Sequence, residues 1–348
     1  MSATSGFSTK TFIFDPRPTY PYVSVAKRYW IEDSPYLNDE DALTLIFAHG
    51  TGFHKELWEP VIDDFHAANQ RGGGGLKIRE IWTIEAPNHG EAAALNAKAL
   101  SEVPNDVFGW EEYGRSIHLF LNGLGTGVEG IDFSKHKLVG IGHSMGAVSL
   151  GLALGYYPKI KWHALVLCEV MLMPLQFGKE VGNMLSGPAA KRRDIWPSKE
   201  EASKLFSSRG TWQTWDPRIR DLYVKHGLVS LPTLDYPDKQ GVTLACPRAQ
   251  EAACYRDSVG SFRLYNNLKN VALQFPLHLI YGAEDDYLPA AVKDDVVNNA
   301  VGGIQNLASF SRVEGGGHLV PQTNPKGLGE QIYKCLSIEK SGLPSARL

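Results

Sequence analysis

Leu138-Val139-Gly140-Ile141-Gly142-His143-Ser144-Met145-Gly146-Ala147-Val148-Ser149-Leu150 is the stretch whose reading decides the fold. Residues 138–141 form an apolar run of strand character, and 145–157 continue as small residues suited to a helix packed close to a sheet. Between them lies Gly142-His143-Ser144-Met145-Gly146, a G-x-S-x-G pentapeptide. In a chain with 35 glycines the bare pattern arises by accident, and its meaning comes from the strand before it and the helix after it. A sharp strand-to-helix turn there forces Ser144 into strained backbone geometry and lifts its Oγ above the sheet as a nucleophile. A Cβ at 142 or 146 would strike the neighbouring strand or helix, so both positions require glycine.

Outward from this turn, short β-rich runs alternate with segments of helical period, the signature of an α/β sheet. Strands are predicted at 43–48, 81–84, 138–141, 164–168, 277–281 and 309–313, with an opening antiparallel hairpin from 10–14 and 23–29. Leu57, Trp58, Val61, Ile62 and Phe65 recur at helical spacing, as do Val107, Trp110, Tyr113, Ile117, Phe120, Leu121 and Leu124. The alternation fails between Cys168 and Leu277. We therefore expect a mostly parallel sheet flanked by helices over 1–170 and 270–340, a helical cap inserted at 171–269, and a flexible tail at 341–348. Gly72 to Gly75 reads as a surface loop, because no strand precedes it and no Gly-Lys-Ser/Thr follows.

Composition narrows the functional classes. Hydrophobic residues make up 43% and charged residues 21%, enough apolar material for a large core. A formal charge of -3 without long charged blocks gives no reason to expect a nucleic-acid partner. The four cysteines (168, 246, 254 and 335) have neither a disulfide framework nor paired metal-ligand spacing, so no metal or other cofactor is expected. The first 16 residues lack a secretory pattern, and the 138–155 run contains His143, Ser144 and five glycines, which argues for an internal turn over a membrane span. Ala346-Arg347-Leu348 fits the small–basic–Leu pattern of a peroxisomal address, read by an import receptor at a free carboxyl terminus. Without it the expected location is the cytoplasm.

A serine hydroxyl needs a base. The loop Gly315-Gly316-Gly317-His318-Leu319-Val320-Pro321 follows the last predicted strand and supplies His318. The acid that orients the imidazole has two main candidates. Asp285, three residues beyond the strand-ending Gly282, is the first choice; Glu169, directly after the strand at 164–168, is the alternative, and Asp286 follows. Oxyanion donors are expected from the backbone N–H groups of Met145 and Thr51. His49 reads as a residue shaping the loop that carries Thr51, and His54, His89 and His143 as packing residues. Trp196, Trp212, Trp215 and Tyr255 read either as packing within the cap's own core or as lining for an acyl pocket. Arg192 and Arg193 read either as a solvated pair or as a phosphate contact for coenzyme A.

The run His49-Gly50-Thr51-Gly52-Phe53-His54-Lys55-Glu56-Leu57-Trp58-Glu59-Pro60 resembles the oxyanion region of fungal α/β hydrolases. That group includes peroxisomal lipase-like enzymes and the acyl-CoA hydrolases of mycophenolic acid and host-selective toxin pathways. Asn88-His89-Gly90-Glu91-Ala92, the cap segment Ile195-Trp196-Pro197-Ser198-Lys199-Glu200-Glu201-Ala202, and the cap run from Trp215-Asp216-Pro217 to His226-Gly227-Leu228 are similar to it too. The resemblance implies hydrolysis of a small-molecule acyl ester or thioester inside a fungal peroxisome. Some members place the acid at the position of Glu169, as an aspartate, and the resemblance keeps both acids open. Two rival readings are a non-catalytic ligand-binding module and an epoxide-type hydrolase. The latter uses an aspartate nucleophile, and Ser144 argues against it.

Overall fold

The structure is a computed structural model that describes residues 6–102 and 106–338. The Ala346-Arg347-Leu348 tripeptide lies outside the described residues. Eight strands form the main sheet: β1 (Ser8–Phe14), β2 (Ser24–Trp30), β3 (Leu43–Ala48), β4 (Ile78–Ile84), β5 (Lys137–His143), β6 (Trp162–Cys168), and then, after the cap, β10 (Leu277–Gly282) and β11 (Ser309–Val313). Their order is β1-β2-β4-β3-β5-β6-β10-β11. The pairs from β4 to β11 are parallel, and β1 and β2 are the antiparallel start expected from the sequence.

The central strands read as continuous apolar runs because both faces of the sheet are covered. On β3, Leu45 and Phe47 face one core while Ile46 and Ala48 face the other. The first face is closed by α1 (Glu59–Arg71) through Val61, Ile62 and Phe65, and by the C-terminal helix Pro325–Ile338 through Leu328 and Ile332. Beyond two short helices, α2 (Gly90–Leu95) and α3 (Ala97–Ser101), the opposite face takes α4 (Trp110–Leu121) and α5 (Met145–Leu152). Tyr113, Ile117 and Val148 supply its buried contacts, and Trp82 packs among Phe12, Phe120 and Phe133.

The segment after β6 departs from the sheet pattern as expected. It contains α6 (Leu175–Lys191), α7 (Lys199–Ser208), α8 (Pro217–His226) and α9 (Arg248–Tyr255). It also contains a small antiparallel sheet, which the helical reading did not anticipate, made of β7 (Ile195–Trp196), β8 (Leu228–Ser230) and β9 (Val242–Leu244) in the order β7-β9-β8. These strands have only two or three residues, too few for a period to register. The helix α10 (Val259–Gln274) follows and buries Leu264 and Leu268 in the core beside α5. The cap has its own apolar cluster, in which Trp196, Phe206, Trp215, Ile219 and Tyr223 meet Leu57 of the core. Arg218 on α8 pairs with Asp64 on α1 at 2.8 Å, fastening cap to core. Among the described residues no helix is long and apolar enough to cross a membrane.

Candidate active site

Strand β5 ends at His143 and α5 begins at Met145, so a single residue makes the reversal. That residue is Ser144, with φ 53° and ψ −119°, a conformation rarely adopted by side-chain-bearing residues. The strain is held by neighbours: the Ser144 N–H donates to the Cys168 carbonyl at 3.1 Å, and its carbonyl accepts from the Val148 N–H. The glycines flanking it are there for space. A Cβ on Gly142 would lie 2.5 Å from Ala147 Cα, and one on Gly146 would lie 2.3 Å from the Ala48 carbonyl oxygen.

Ser144 Oγ lies 3.0 Å from His318 Nε2. Beyond the ring, His318 Nδ1 lies 3.1 Å from Glu169 Oε2. This geometry assigns the neutral tautomer with the proton on Nδ1, donating to the carboxylate, while Nε2 accepts from the serine hydroxyl. Glu169 directly follows β6, has φ 46°, and is completely buried. A buried carboxylate requires partners. Glu169 Oε1 accepts from the Gly282 N–H at 2.6 Å, and Lys293 Nζ stands 3.6 Å away.

The preference for Asp285 as the partner of His318 is therefore corrected. Asp285 is 43% exposed and pairs with Lys293 Nζ at 3.3 Å, away from the imidazole. Lys293, on the helix Ala290–Asp295, is fully buried between the two carboxylates and donates to the carbonyls of Gly282 and Glu284 at 3.0 and 2.9 Å. Asp285 is held on the outer side of this ammonium, and the carboxylate beside His318 is that of Glu169. Asp286 accepts the backbone N–H of His318 at 2.8 and 3.0 Å and so anchors the histidine loop. Sequence reasoning missed Lys293, because a lysine on an amphipathic helix carries no mark of burial.

His143 does more than pack. Its Nε2–H donates to the His318 carbonyl at 2.8 Å, tying the residue before the serine to the backbone of the histidine. Burial holds its pKa down to about 3, with the neighbouring His318 adding to the effect, so the ring stays neutral. His49 shapes the loop after β3 as expected. Its Nδ1–H donates to the Gly50 carbonyl, its Nε2 accepts from the Ala86 N–H, and burial lowers its pKa to about 3. His89 reaches the same loop: its Nε2 accepts the Gly52 N–H at 2.9 Å, with Nδ1–H given to Asn88 Oδ1. Gly52 is thereby engaged, and Phe53 N–H donates to the Gly50 carbonyl. The N–H of Thr51 stays uncommitted among the described residues. Thr51 Oγ1 donates to Met145 Sδ at 3.4 Å, holding this loop beside the start of α5. There the first-turn N–H groups of the helix, Met145 among them, have no intrahelical acceptor.

A cavity of about 320 Å³ opens over Ser144 and His318, walled by the cap and the Thr51 loop. Of the aromatic candidates, Trp212, Trp215 and Tyr255 line it, together with Phe53, Met171 and Leu185. Trp196 does not line it; it is 4% exposed and packs edge-on against Phe206 in the cap's own core. The two arginines separate. Arg192 lines the cavity, whereas Arg193 is exposed and covers the Trp196 ring. No cluster of His, Cys, Asp or Glu able to hold a metal occurs among the described residues.

An elbow that lifts a serine hydroxyl to a histidine backed by a carboxylate, at the C-terminal ends of a parallel sheet, is the architecture of the alpha/beta hydrolases. The chain belongs to the alpha/beta hydrolase family, whose model matches residues 45–330. It is 32% identical over 206 residues to type I acyl-CoA thioesterase mpaH of Penicillium brevicompactum, covering 58% of this chain and 44% of that protein. It is 30% identical over 121 residues to abhydrolase domain-containing protein AFT2-1 of Alternaria alternata, covering 35% of this chain and 45% of that protein. The chain thus spans less than half the length of these curated relatives. Among solved structures, the peroxisomal alpha-beta-hydrolase Lpx1 of Saccharomyces cerevisiae matches with a TM-score of 0.73 and 20% identity, over 99% of this chain and 93% of that one. The Mycobacterium tuberculosis esterase Rv0045c matches with a TM-score of 0.59 and 16% identity, over 95% and 92%. These two likenesses establish the shared fold.

Proposed function

We propose that this chain hydrolyses a carboxylic ester or an acyl thioester through an acyl intermediate on Ser144. The carrying observation is the unbroken line from Ser144 Oγ through His318 to Glu169, with spacings of 3.0 and 3.1 Å. In the first half-reaction His318 Nε2 takes the serine proton as Oγ attacks the carbonyl carbon. Glu169 holds the Nδ1–H and stabilises the imidazolium that forms. The carbonyl oxygen gains negative charge and is received by the N–H groups of Met145 and Thr51. One such donor contributes about 2.7–4 kcal/mol to transition-state stabilisation. His318 then protonates the departing alcohol or thiol. Water, deprotonated by the same nitrogen, releases the acid and restores the serine.

The relatives named as acyl-CoA thioesterases support the thioester side of this reading, and the largely apolar cavity under the cap suits an acyl chain. A panel of p-nitrophenyl esters and acyl-CoAs of increasing length, assayed with wild type and Ser144→Ala, tests it. Hydrolysis lost in the variant is the expected result, and equal rates in both would end the proposal. The same reading assigns the chain to the peroxisome through Ala346-Arg347-Leu348. Deleting that tripeptide should move a tagged protein from puncta to the cytosol, and unchanged puncta would refute the address.

A further inference from the structure

Among the described residues, Arg192 and Glu251 are the arginine and the carboxylate that line the cavity, and both belong to the cap. Arg192, at the end of α6, donates from Nη2 to the Tyr223 hydroxyl of α8 at 3.2 Å. Its Nη1 donates to Glu251 Oε1 of α9, also at 3.2 Å. Three cap helices thus converge on one patch of the wall. The patch adjoins the Thr51 loop, since a Cβ on Gly52 would come within 2.9 Å of Glu251 Oε1.

The chemistry of a matching ligand follows from charge and from hydrogen-bond capacity. Arg192 and Glu251 cancel each other's charge, so the patch favours a neutral group over an ion. The Tyr223 hydroxyl accepts from Arg192, and its own proton has no acceptor among the described residues. Glu251 is 5% exposed, and its Oε2 lies 3.2 Å from Arg192 Nη1 without an aligned hydrogen bond. Buried polar atoms in folded proteins are nearly always paired, so a Tyr223 proton without an acceptor, next to a carboxylate whose side chain takes its one hydrogen bond among the described residues from Arg192, points to a ligand. A hydroxyl or a secondary amide supplies both complements: an oxygen for the Tyr223 proton and a hydrogen for the carboxylate.

We propose that Arg192, Tyr223 and Glu251 form a specificity site for a neutral group that both donates and accepts hydrogen bonds, carried by the substrate. The inference rests on the reading of this cavity as the site of ester or thioester hydrolysis. The group has two possible sources, a hydroxyl on the acyl chain or the amide of a cysteamine-type thiol leaving group.

Two matched substrate pairs separate these sources. p-Nitrophenyl 6-hydroxyhexanoate against p-nitrophenyl hexanoate tests the acyl side, and the hexanoyl thioester of N-acetylcysteamine against that of pentanethiol tests the leaving-group side. Wild type should prefer the polar member by about tenfold or more in kcat/KM in one pair, and the double variant Arg192→Met/Glu251→Leu should bring that ratio close to one. Tyr223→Phe, which removes only the hydroxyl, should lower the same ratio and serves where the double variant does not fold. Ratios near one in both pairs for wild type, or a preference kept in the folded variants, overturn the proposal. Absence of Ser144-dependent turnover of all four compounds would instead refute the hydrolase reading. Recognition is then read in Ser144→Ala by quenching of Trp212 and Trp215 fluorescence. N-pentylacetamide should bind about tenfold tighter than pentyl acetate, and equal binding overturns the specificity site.

Discussion

Glu169 Oε2 sits 3.1 Å from His318 Nδ1, although the loop carrying Asp285 lies on the adjacent strand end and offers a carboxylate of its own. The buried ammonium of Lys293 separates the two acids. It binds Asp285 at 3.3 Å and leaves Glu169 to face the imidazole. Glu169→Gln should therefore lower kcat by about four orders of magnitude, as loss of a triad carboxylate can do. Asp285→Asn should stay within a few fold of wild type. The two kcat values measured on one ester decide between the acids, and the opposite ranking would restore Asp285.

Lys293 has no exposed surface and satisfies two backbone carbonyls as well as the carboxylates. Removing one partner of such a buried arrangement leaves uncompensated charge. Lys293→Met should cost about 3–5 kcal/mol of folding stability. Urea titration reads this directly, and an unchanged midpoint would show that the ammonium contributes nothing net.

The buried neutral ring of His143 makes the fold sensitive to acid. Its pKa in the folded chain is about 3, below the ordinary 6.5 that it regains on unfolding. Between those values the unfolded chain binds the extra proton, so the stability it contributes is full above pH 6.5 and lost as pH falls toward 3. At pH 5 the loss from this one group is about 2 kcal/mol. His143→Gln should flatten the acid limb of the stability curve by that amount relative to its own value at pH 7.5, as read by denaturant midpoints. A limb as steep as that of wild type would contradict the assignment.

Thr51 sits on the loop that His49 and His89 brace, and in the proposed mechanism it acts through its backbone N–H. Thr51→Ala, which keeps the N–H, should retain most of the activity. His89→Ala, which frees the Gly52 N–H and loosens the loop, should lower kcat more than it raises KM. Steady-state kinetics on a single ester would reveal the reverse pattern if the loop served only to bind substrate.

Much of this was legible because it depends on local pattern. The apolar run into Gly142-His143-Ser144-Met145-Gly146 forecast the elbow, and the strand at 309–313 followed by three glycines placed His318. Which carboxylate meets the imidazole was legible only as a pair of candidates, because side-chain placement at two adjacent strand ends, with Lys293 buried between them, leaves no mark in the sequence. Lys293 is one cation among 35 in the sequence, and nothing in its neighbours marks it as enclosed. The cap pocket was legible only in part. Trp212 and Trp196 share the same aromatic cap cluster, but side-chain direction in short, irregular elements decides which one faces the cavity.

The most direct test is intact-mass analysis after treatment with a fluorophosphonate, comparing wild type with Ser144→Ala. The account predicts a single adduct on wild type, mapped to Ser144, and none on the variant. An unlabelled wild type, or equal labelling of both proteins, would show that the hydroxyl at the elbow is not activated by His318.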